Sequence, residues 1–246
     1  VKNKNDVRRF NLALASVMMM ALVGCAPANS DPAENDPMES INRGVFEFNQ
    51  VVDNFVIEPV AKGYRYITPD PLRSRIGNVS DNLQEPLNMI HAFLQGDFDQ
   101  GMVSFWRFAL NSTIGIAGMN DVAASAGLER RSEDLGQTLA VWGVGEGPYV
   151  VLPLLGPSNL RDTTGTVGDW FIDPVNYAID DTSTEIWVAG GQGIVKRERL
   201  IDVLDDVEES SLDPYVTLRS MYRQHRAAQV GNTGDGPLPS SGDVTE

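Results

Sequence analysis

Residues 36–55, DPMESINRGVFEFNQVVDNF, decide the fold class. Met38, Ile41, Val45, Phe48, Val52 and Phe55 recur three or four residues apart without a gap, which is the period of an amphipathic helix. Asp36 stands where a cap belongs, Pro37 at the first helical position and Glu39 at the capping-box spacing. Reading outward, the pattern repeats. Pro59 opens a shorter segment with Val60, Tyr64 and Ile67 on one side, and Pro71 opens another with Leu72, Ile76, Val79 and Leu83. Pro86 is expected to interrupt and restart it, giving Leu87, Ile90 and Phe93 before Gly96 stops the helix. Over 98–111, Met102, Phe105 and Ala109 are expected to face inward.

Further helices are expected near 132–142, with Ser132 as cap and Leu135, Leu139 and Trp142 on one face, and near 158–171. A long pattern over 183–209 is weakened by Gly190, Gly191 and Gly193. Asp213-Pro214 begins a last helix with Tyr215, Leu218 and Tyr222 on one side and Arg219, Arg223 and Arg226 around them. Only Tyr149–Leu152 looks extended. The expected fold class is all-α, and each proline start changes the chain's direction, so the helices wrap around one another.

One segment does not read like a water-soluble bundle. Residues 135–160 carry a single charge, Glu146, in 26 positions, and hold Gly143, Gly145, Gly147, Pro148, Pro153, Gly156 and Pro157. This density of glycine and proline forbids a spanning helix. Non-helical backbone lies at membrane depth only where protein buries it or it lines a water-filled cavity. Two readings stand: a flexible hairpin bordering a lipid or water passage, or a buried connection with tight turns.

The first residues read as an export signal. Lys2, Lys4, Arg8 and Arg9 precede the apolar run Leu12–Gly24, whose 13 residues fall short of the roughly 20 that cross a bilayer. Leu22-Val23-Gly24-Cys25 matches a lipobox, in which the thiol is acylated and Cys25 becomes the new N-terminus. It is the only cysteine, so a disulfide framework is excluded. The organisation expected is a signal peptide (1–24), an acylated tether (25–36) that spans at most about 40 Å, a helical domain (37–226) and a disordered acidic tail (227–246).

With 19 basic and 34 acidic residues, a net charge of −15, the chain repels nucleic acid and anionic headgroups alike. Membrane contact must rest on acyl chains and apolar surface. His91 and His225 are far apart in sequence, each in a helical pattern, and are expected to be one partly buried and one exposed. No metal cluster, nucleophile elbow or phosphate-binding glycine loop can be assembled, so nothing calls for an enzyme or for a cofactor beyond the lipid on Cys25.

The chain from about Asp36 to Arg226 resembles the MlaA/VacJ family of outer-membrane lipoproteins. The resemblance is carried by Asp36-Pro37-Met38-Glu39, Asn42-Arg43, Phe46, Phe48-Asn49, Asn82-Leu83, Glu85-Pro86, Leu94-Gln95-Gly96 and Arg107-Phe108. Its most specific block runs Glu133–Leu139, Trp142–Tyr149, Leu152-Pro153 and Gly156–Ser158 to Arg161-Asp162, followed by Asp213-Pro214-Tyr215. Met38 stands where the family usually has leucine, a volume-conserving change. The resemblance implies a ring of helices around a central amphipathic channel, embedded in the periplasmic leaflet of the outer membrane of a Gram-negative bacterium. It also implies non-enzymatic removal of phospholipids that have strayed into the outer leaflet, a soluble periplasmic carrier, MlaC, as recipient, and trimeric porins of the OmpC/OmpF type as neighbours. By similarity to lipoprotein sorting rules, Ala26 after the cysteine agrees with the outer membrane.

Three expectations follow for particular residues. Apolar side chains of 37–55 and 97–111 face acyl chains on the ring's outside, with Phe46 and Trp106 either adding to that surface or filling the core. Asn42, Arg43, Phe46 and Asn49 are candidates for the channel and its headgroups, the alternative being ordinary hydrogen bonding between elements. Gly143, Gly145 and Gly147, with Pro148 and Tyr149, are candidate hinges of a gate. A scaffold lipoprotein that steadies porins without moving lipid is the alternative function.

Overall fold

The computed structural model describes residues 36–178 and 182–231. The expected signal peptide, Cys25, the tether up to residue 35 and the tail from 232 lie outside the described residues. The chain forms α1 (Glu39–Val52), a π-turn (Asp53–Ile57), α2 (Glu58–Ile67), α3 (Asp70–Gln95), α4 (Phe98–Thr113), α5 (Val122–Ser125) and α6 (Leu135–Val141). A hairpin of β1 (Tyr149–Leu152) and β2 (Gly156–Asn159) follows, then α7 (Leu160–Ile172), α8 (Pro174–Ala178), α9 (Thr182–Arg199), α10 (Ile201–Ser210) and α11 (Pro214–Val230). The fold is all-α apart from this hairpin, in which Tyr149 pairs with Asn159 and Leu152 with Gly156, antiparallel.

The elements close a ring. α1 packs on β1, β2 on α11, α11 on α6, α6 on α3, α3 on α9 and α9 on α2, which the π-turn joins back to α1. α4 lies along α3, and α7 along α6. The α6–α7 approach is close enough that a Cβ on Gly165 would stand 2.5 Å from the backbone nitrogen of Gly136. No helix among the described residues is long and apolar enough to cross a membrane.

The prolines act in two ways. Pro59 stands in the first turn of α2, as expected, and the π-turn joins that helix to α1, with Glu58 N–H reaching Asp53 O. The wider turn accommodates a ring that has no N–H to give. Pro86 does not restart α3, which runs unbroken for 26 residues. Its lost bond is offset by a stripe of buried polar side chains that tie α3 to its neighbours. Asp36 does not cap α1; its carboxylate instead accepts from Asn42, Arg219 and the Tyr215 hydroxyl. Asp134, not Ser132, caps α6, accepting from Gln137 N–H. The three glycines lie within α9, and the pattern over 183–209 breaks at Leu200 instead. The last helix extends to Val230, four residues into the expected tail.

Met102 and Phe105 do not face inward. The buried side of α4 is Gly101, Ser104, Arg107 and Asn111, three to four residues apart, while Phe98, Met102, Phe105, Trp106 and Phe108 are exposed. The helix period was right and its polarity inverted. Beside Tyr215 and Val207, the largest fully buried side chains are polar: His91, Gln137, Glu85, Asn88, Thr138 and Ser104. His91, expected to be at most partly buried, is entirely enclosed.

Candidate functional site

The helices of the ring carry a band of exposed apolar side chains, its collar. On α1, the π-turn and α2, Ile41, Phe48, Val51, Phe55, Val56, Tyr66 and Ile67 are exposed, Phe55 by 80%. α4 adds its own row, and the turn after it adds Ile114, Ile116 and Met119. So much contiguous apolar surface marks a membrane or protein interface in a folded chain. Phe46 and Trp106, both off the main stripes, part company. Phe46 packs edge-on against Tyr215 at 5.6 Å between centroids and belongs to the core around Tyr149 and Val151. Trp106 is half exposed and belongs to the collar.

The inside is held by charge. Glu85, 1% exposed, accepts from Arg107 Nε at 2.7 Å, and Arg107 Nη2 donates to Asp121 at 2.8 Å. Asn111 supports Asp121, and Asn88 accepts from Glu133 N–H. His91 links Thr138 Oγ1 at 3.0 Å and Asp169 Oδ1 at 2.8 Å. On the far side, Arg226 donates to both oxygens of Asp134 at 2.6 and 2.7 Å and to Asp162 at 2.7 Å, while Tyr222 donates to Asp162 at 2.6 Å. Burial opposes the charge on Asp134 and Asp162, but Arg226 overrides it and holds both carboxyls below the usual carboxylate range. Burial pushes Glu133 up. These networks are satisfied in pairs, as a polar interior requires.

The hairpin is fastened to α1 by two asparagines. Asn42 Nδ2 donates to Tyr149 O at 3.1 Å and its Oδ1 accepts from Val151 N at 3.0 Å. One α1 side chain thereby pairs with β1 as another strand would. Asn49 repeats the device at the turn, donating to Leu152 O at 2.9 Å and accepting from Leu154 N at 2.8 Å. Arg43 forms a fork on Asp213 and stacks over the Tyr215 ring at 4.4 Å. The structure thus brings Asn42, Arg43, Phe46 and Asn49 together at the α1–hairpin–α11 junction, engaged with protein groups. The hairpin tip, Leu154 and Leu155, is exposed, and Leu154 sits at φ +64°.

Of the hinge candidates, two have positive φ. Gly143, φ +90°, ends α6 in a Schellman arrangement, with Val144 N–H on Leu139 O and Gly143 N–H on Ala140 O. Gly147, φ +68°, lies against Leu160, where a Cβ would stand 3.1 Å from that residue's own. Gly145 has an ordinary φ and open space around it. Pro148 O accepts from Leu160 N–H, and Tyr149 is buried.

Between α2, α3 and α9 lies a cleft of about 430 Å³, lined mainly by Val60, Tyr64, Ile76, Val79, Leu83 and Val195. Sequence reasoning did not assign it. Its lining residues are ordinary amphipathic positions on three separate helices, and only the ring's closure makes them converge. Among the described residues no cluster of His, Cys, Asp and Glu could hold a metal ion.

A family model for the MlaA lipoprotein matches residues 34–229. The chain belongs to the MlaA lipoprotein family. It is 39% identical over 229 residues to the intermembrane phospholipid transport system lipoprotein MlaA of Escherichia coli K12, covering 91% of this chain and 88% of that one. It is 33% identical to the Haemophilus influenzae protein of the same name, covering 92% of each. A solved structure described as the structural basis for maintenance of bacterial outer membrane lipid asymmetry superposes with a TM-score of 0.69 at 39% identity, over 79% of this chain and 98% of that chain. The matched span takes in every part of the ring, so the family's helical ring is the fold observed here.

Proposed function

We propose that this chain is an acylated outer-membrane lipoprotein that withdraws phospholipid from the membrane in which its collar sits, without chemistry. The observation that carries the reading is the inverted amphipathicity. Large aromatic and aliphatic side chains stand outward on α1, α2 and α4, while carboxylates, guanidinium groups and amides fill the inside. In water such a surface is unfavourable by roughly 25 cal/mol per Å² of apolar area, and acyl chains remove that penalty. Acyl chains on Cys25 hold the protein at the bilayer, and the collar sets its depth. The relatives' role in intermembrane phospholipid transport supports the same reading.

In this account, phospholipids misplaced in the outer leaflet enter the ring and leave towards the periplasm, where a soluble carrier of the MlaC type receives them. A trimeric porin of the OmpC/OmpF type would lie against part of the collar. The hairpin moves as one clasped unit about the backbone around Gly143 and Gly147, and Asn42 and Asn49 hold it to α1 in the closed position. The deciding experiment is surface labelling of outer-leaflet phospholipid in cells with and without the gene. Accumulation on deletion, restored by the parent chain and not by Cys25→Ala, is the expected result. An unchanged surface with reduced porin abundance would replace transport by the scaffold role.

A further inference from the structure

α9 is pinned by its last turn. Arg197 forks onto Asp53 of the π-turn at 2.7 and 2.8 Å. Glu198 takes Arg65 of α2 at 2.8 Å and Arg73 of α3 at 3.2 Å, and Arg199 donates to both oxygens of Asp81 at 3.0 Å. The Arg199 guanidinium lies so close to α3 that a Cβ on Gly77 would stand 2.4 Å from it. Three consecutive residues thus tie the end of the helix to three elements, as a network of largely covered ion pairs. Before that turn the same helix borders the apolar cleft, where Trp187, Val188 and Gly191 face Ile76 and Val79 of α3.

Between the pinned turn and Trp187 stand Gly190, Gly191 and Gly193. All three lie in ordinary helical backbone, and a Cβ on any of them would meet no atom within 4 Å. Neither backbone geometry nor packing in this fold therefore calls for glycine there, in contrast to Gly136 and Gly165, where α6 and α7 touch. Widening of the cleft accounts for Gly191 at most, since Gly190 and Gly193 do not line it. What the three do share is a weakened helix: each lowers the helical population about fourfold relative to alanine, and adjacent glycines are where helices kink. We propose that the part of α9 before Gly193 is a hinged lid on the cleft, bending at Gly190–Gly193 while Arg197, Glu198 and Arg199 hold the other end fixed. The lid gives the ring an opening beside α2 and α3, apart from the hairpin, which lies between α1 and α11. The motion belongs to the chain itself and stands or falls independently of what the ring carries.

The test measures distances between paired spin labels on the full acylated chain in nanodiscs, where the Cys25 sulfur is a thioether and takes no label. One pair joins Trp187→Cys, beyond the hinge, to Ser74→Cys, exposed on α3; the other joins Lys196→Cys, on the fixed side, to the same Ser74→Cys. Trp187 is about 9 Å along the helix from Gly193, so a bend of about 40° moves its label by about 6 Å. The first pair should show a second, longer distance and the second pair a single one. Replacing Gly190, Gly191 and Gly193 together by alanine, which fits without a clash, should reduce the longer component at least tenfold and leave the second pair unchanged. Ala189→Gly, which adds a fourth glycine, should enlarge that component severalfold. A single distance for the first pair, or a longer component that the alanines do not reduce, would end the proposal. Equal broadening of both pairs would show α9 moving as a whole and would equally overturn the hinge.

Discussion

α4 and α11 are both amphipathic helices, yet only α4 reverses the arrangement that the outer surface of a water-soluble protein requires. α4 turns Arg107 and Asn111 inward and Phe105, Trp106 and Phe108 outward. α11 buries Tyr215 and Met221 together with Arg226, in the ordinary mixture of a protein core. On the proposed membrane placement, the difference reflects two solvents. Where the environment is hydrocarbon, apolar side chains gain nothing by going inside, and polar groups must find partners within the ring. Where it is water, as around α11, the usual burial of apolar surface holds.

The comparison breaks most sharply at Arg107. Arg107→Met should leave Glu85 buried with only the longer contacts to Asn88 and Arg130, and cost about 3 kcal/mol of unfolding free energy, read by denaturant titration in detergent. A loss below about 1 kcal/mol would show that the interior is wet enough to solvate Glu85. Next in size is the collar. With Cys25→Ala removing the acyl anchor, Phe48→Ser plus Phe55→Ser should weaken partitioning into vesicles by at least about thirtyfold while moving stability in detergent by no more than about 0.5 kcal/mol. Equal partitioning of parent and double variant would put those aromatics outside the membrane.

pH dependence sharpens the α11 side. The folded-state acidities of Asp134 and Asp162 are depressed by Arg226 against the effect of burial. The unfolded chain therefore binds more protons as pH falls below its ordinary carboxylate values, near 4. The stability these groups contribute is complete above that range and is lost as pH falls through their folded values. Glu133, raised by burial, has the opposite sign and offsets part of the loss. Arg226→Met should remove or reverse the slope from Asp134 and Asp162, measured as the acid dependence of unfolding; an unchanged slope would assign it elsewhere. The smallest effect separates two glycines. Gly143→Ala, at positive φ, should cost about 1–2 kcal/mol, and Gly145→Ala close to nothing, by thermal melting. If Gly143→Ala keeps normal protein levels and full surface-lipid clearance, the hairpin does not move about that residue.

Much of the helix order was legible. The stripe from Met38 to Phe55, the stop at Gly96, the start at Asp213-Pro214 and the extended Tyr149–Leu152 were all read from spacing and turn chemistry, which are local. Pro86 misled for the converse reason. A proline's local cost is plain in sequence, but the π-turn and the tertiary bonds that offset it are not. The inward face of α4 was also misassigned, because periodicity gives the angle between two faces and not which of them meets water. At the α1–hairpin junction, Asn42 and Asn49 were identifiable as unusual, yet their use as substitutes for a strand depends on β1 arriving alongside, more than a hundred residues later in the chain.

What this sequence determined alone was therefore the set of helices, the hairpin's glycine and proline punctuation, and membership of a family, all of which rest on neighbours within a few residues. The tertiary structure decided polarity and convergence. It turned the apolar stripes outward, because Glu85, Asn88, His91 and Arg107 satisfy one another only when brought together from separate helices. It also gathered Val60, Ile76 and Val195 into one apolar cleft, because that cleft exists only where α2, α3 and α9 meet in space.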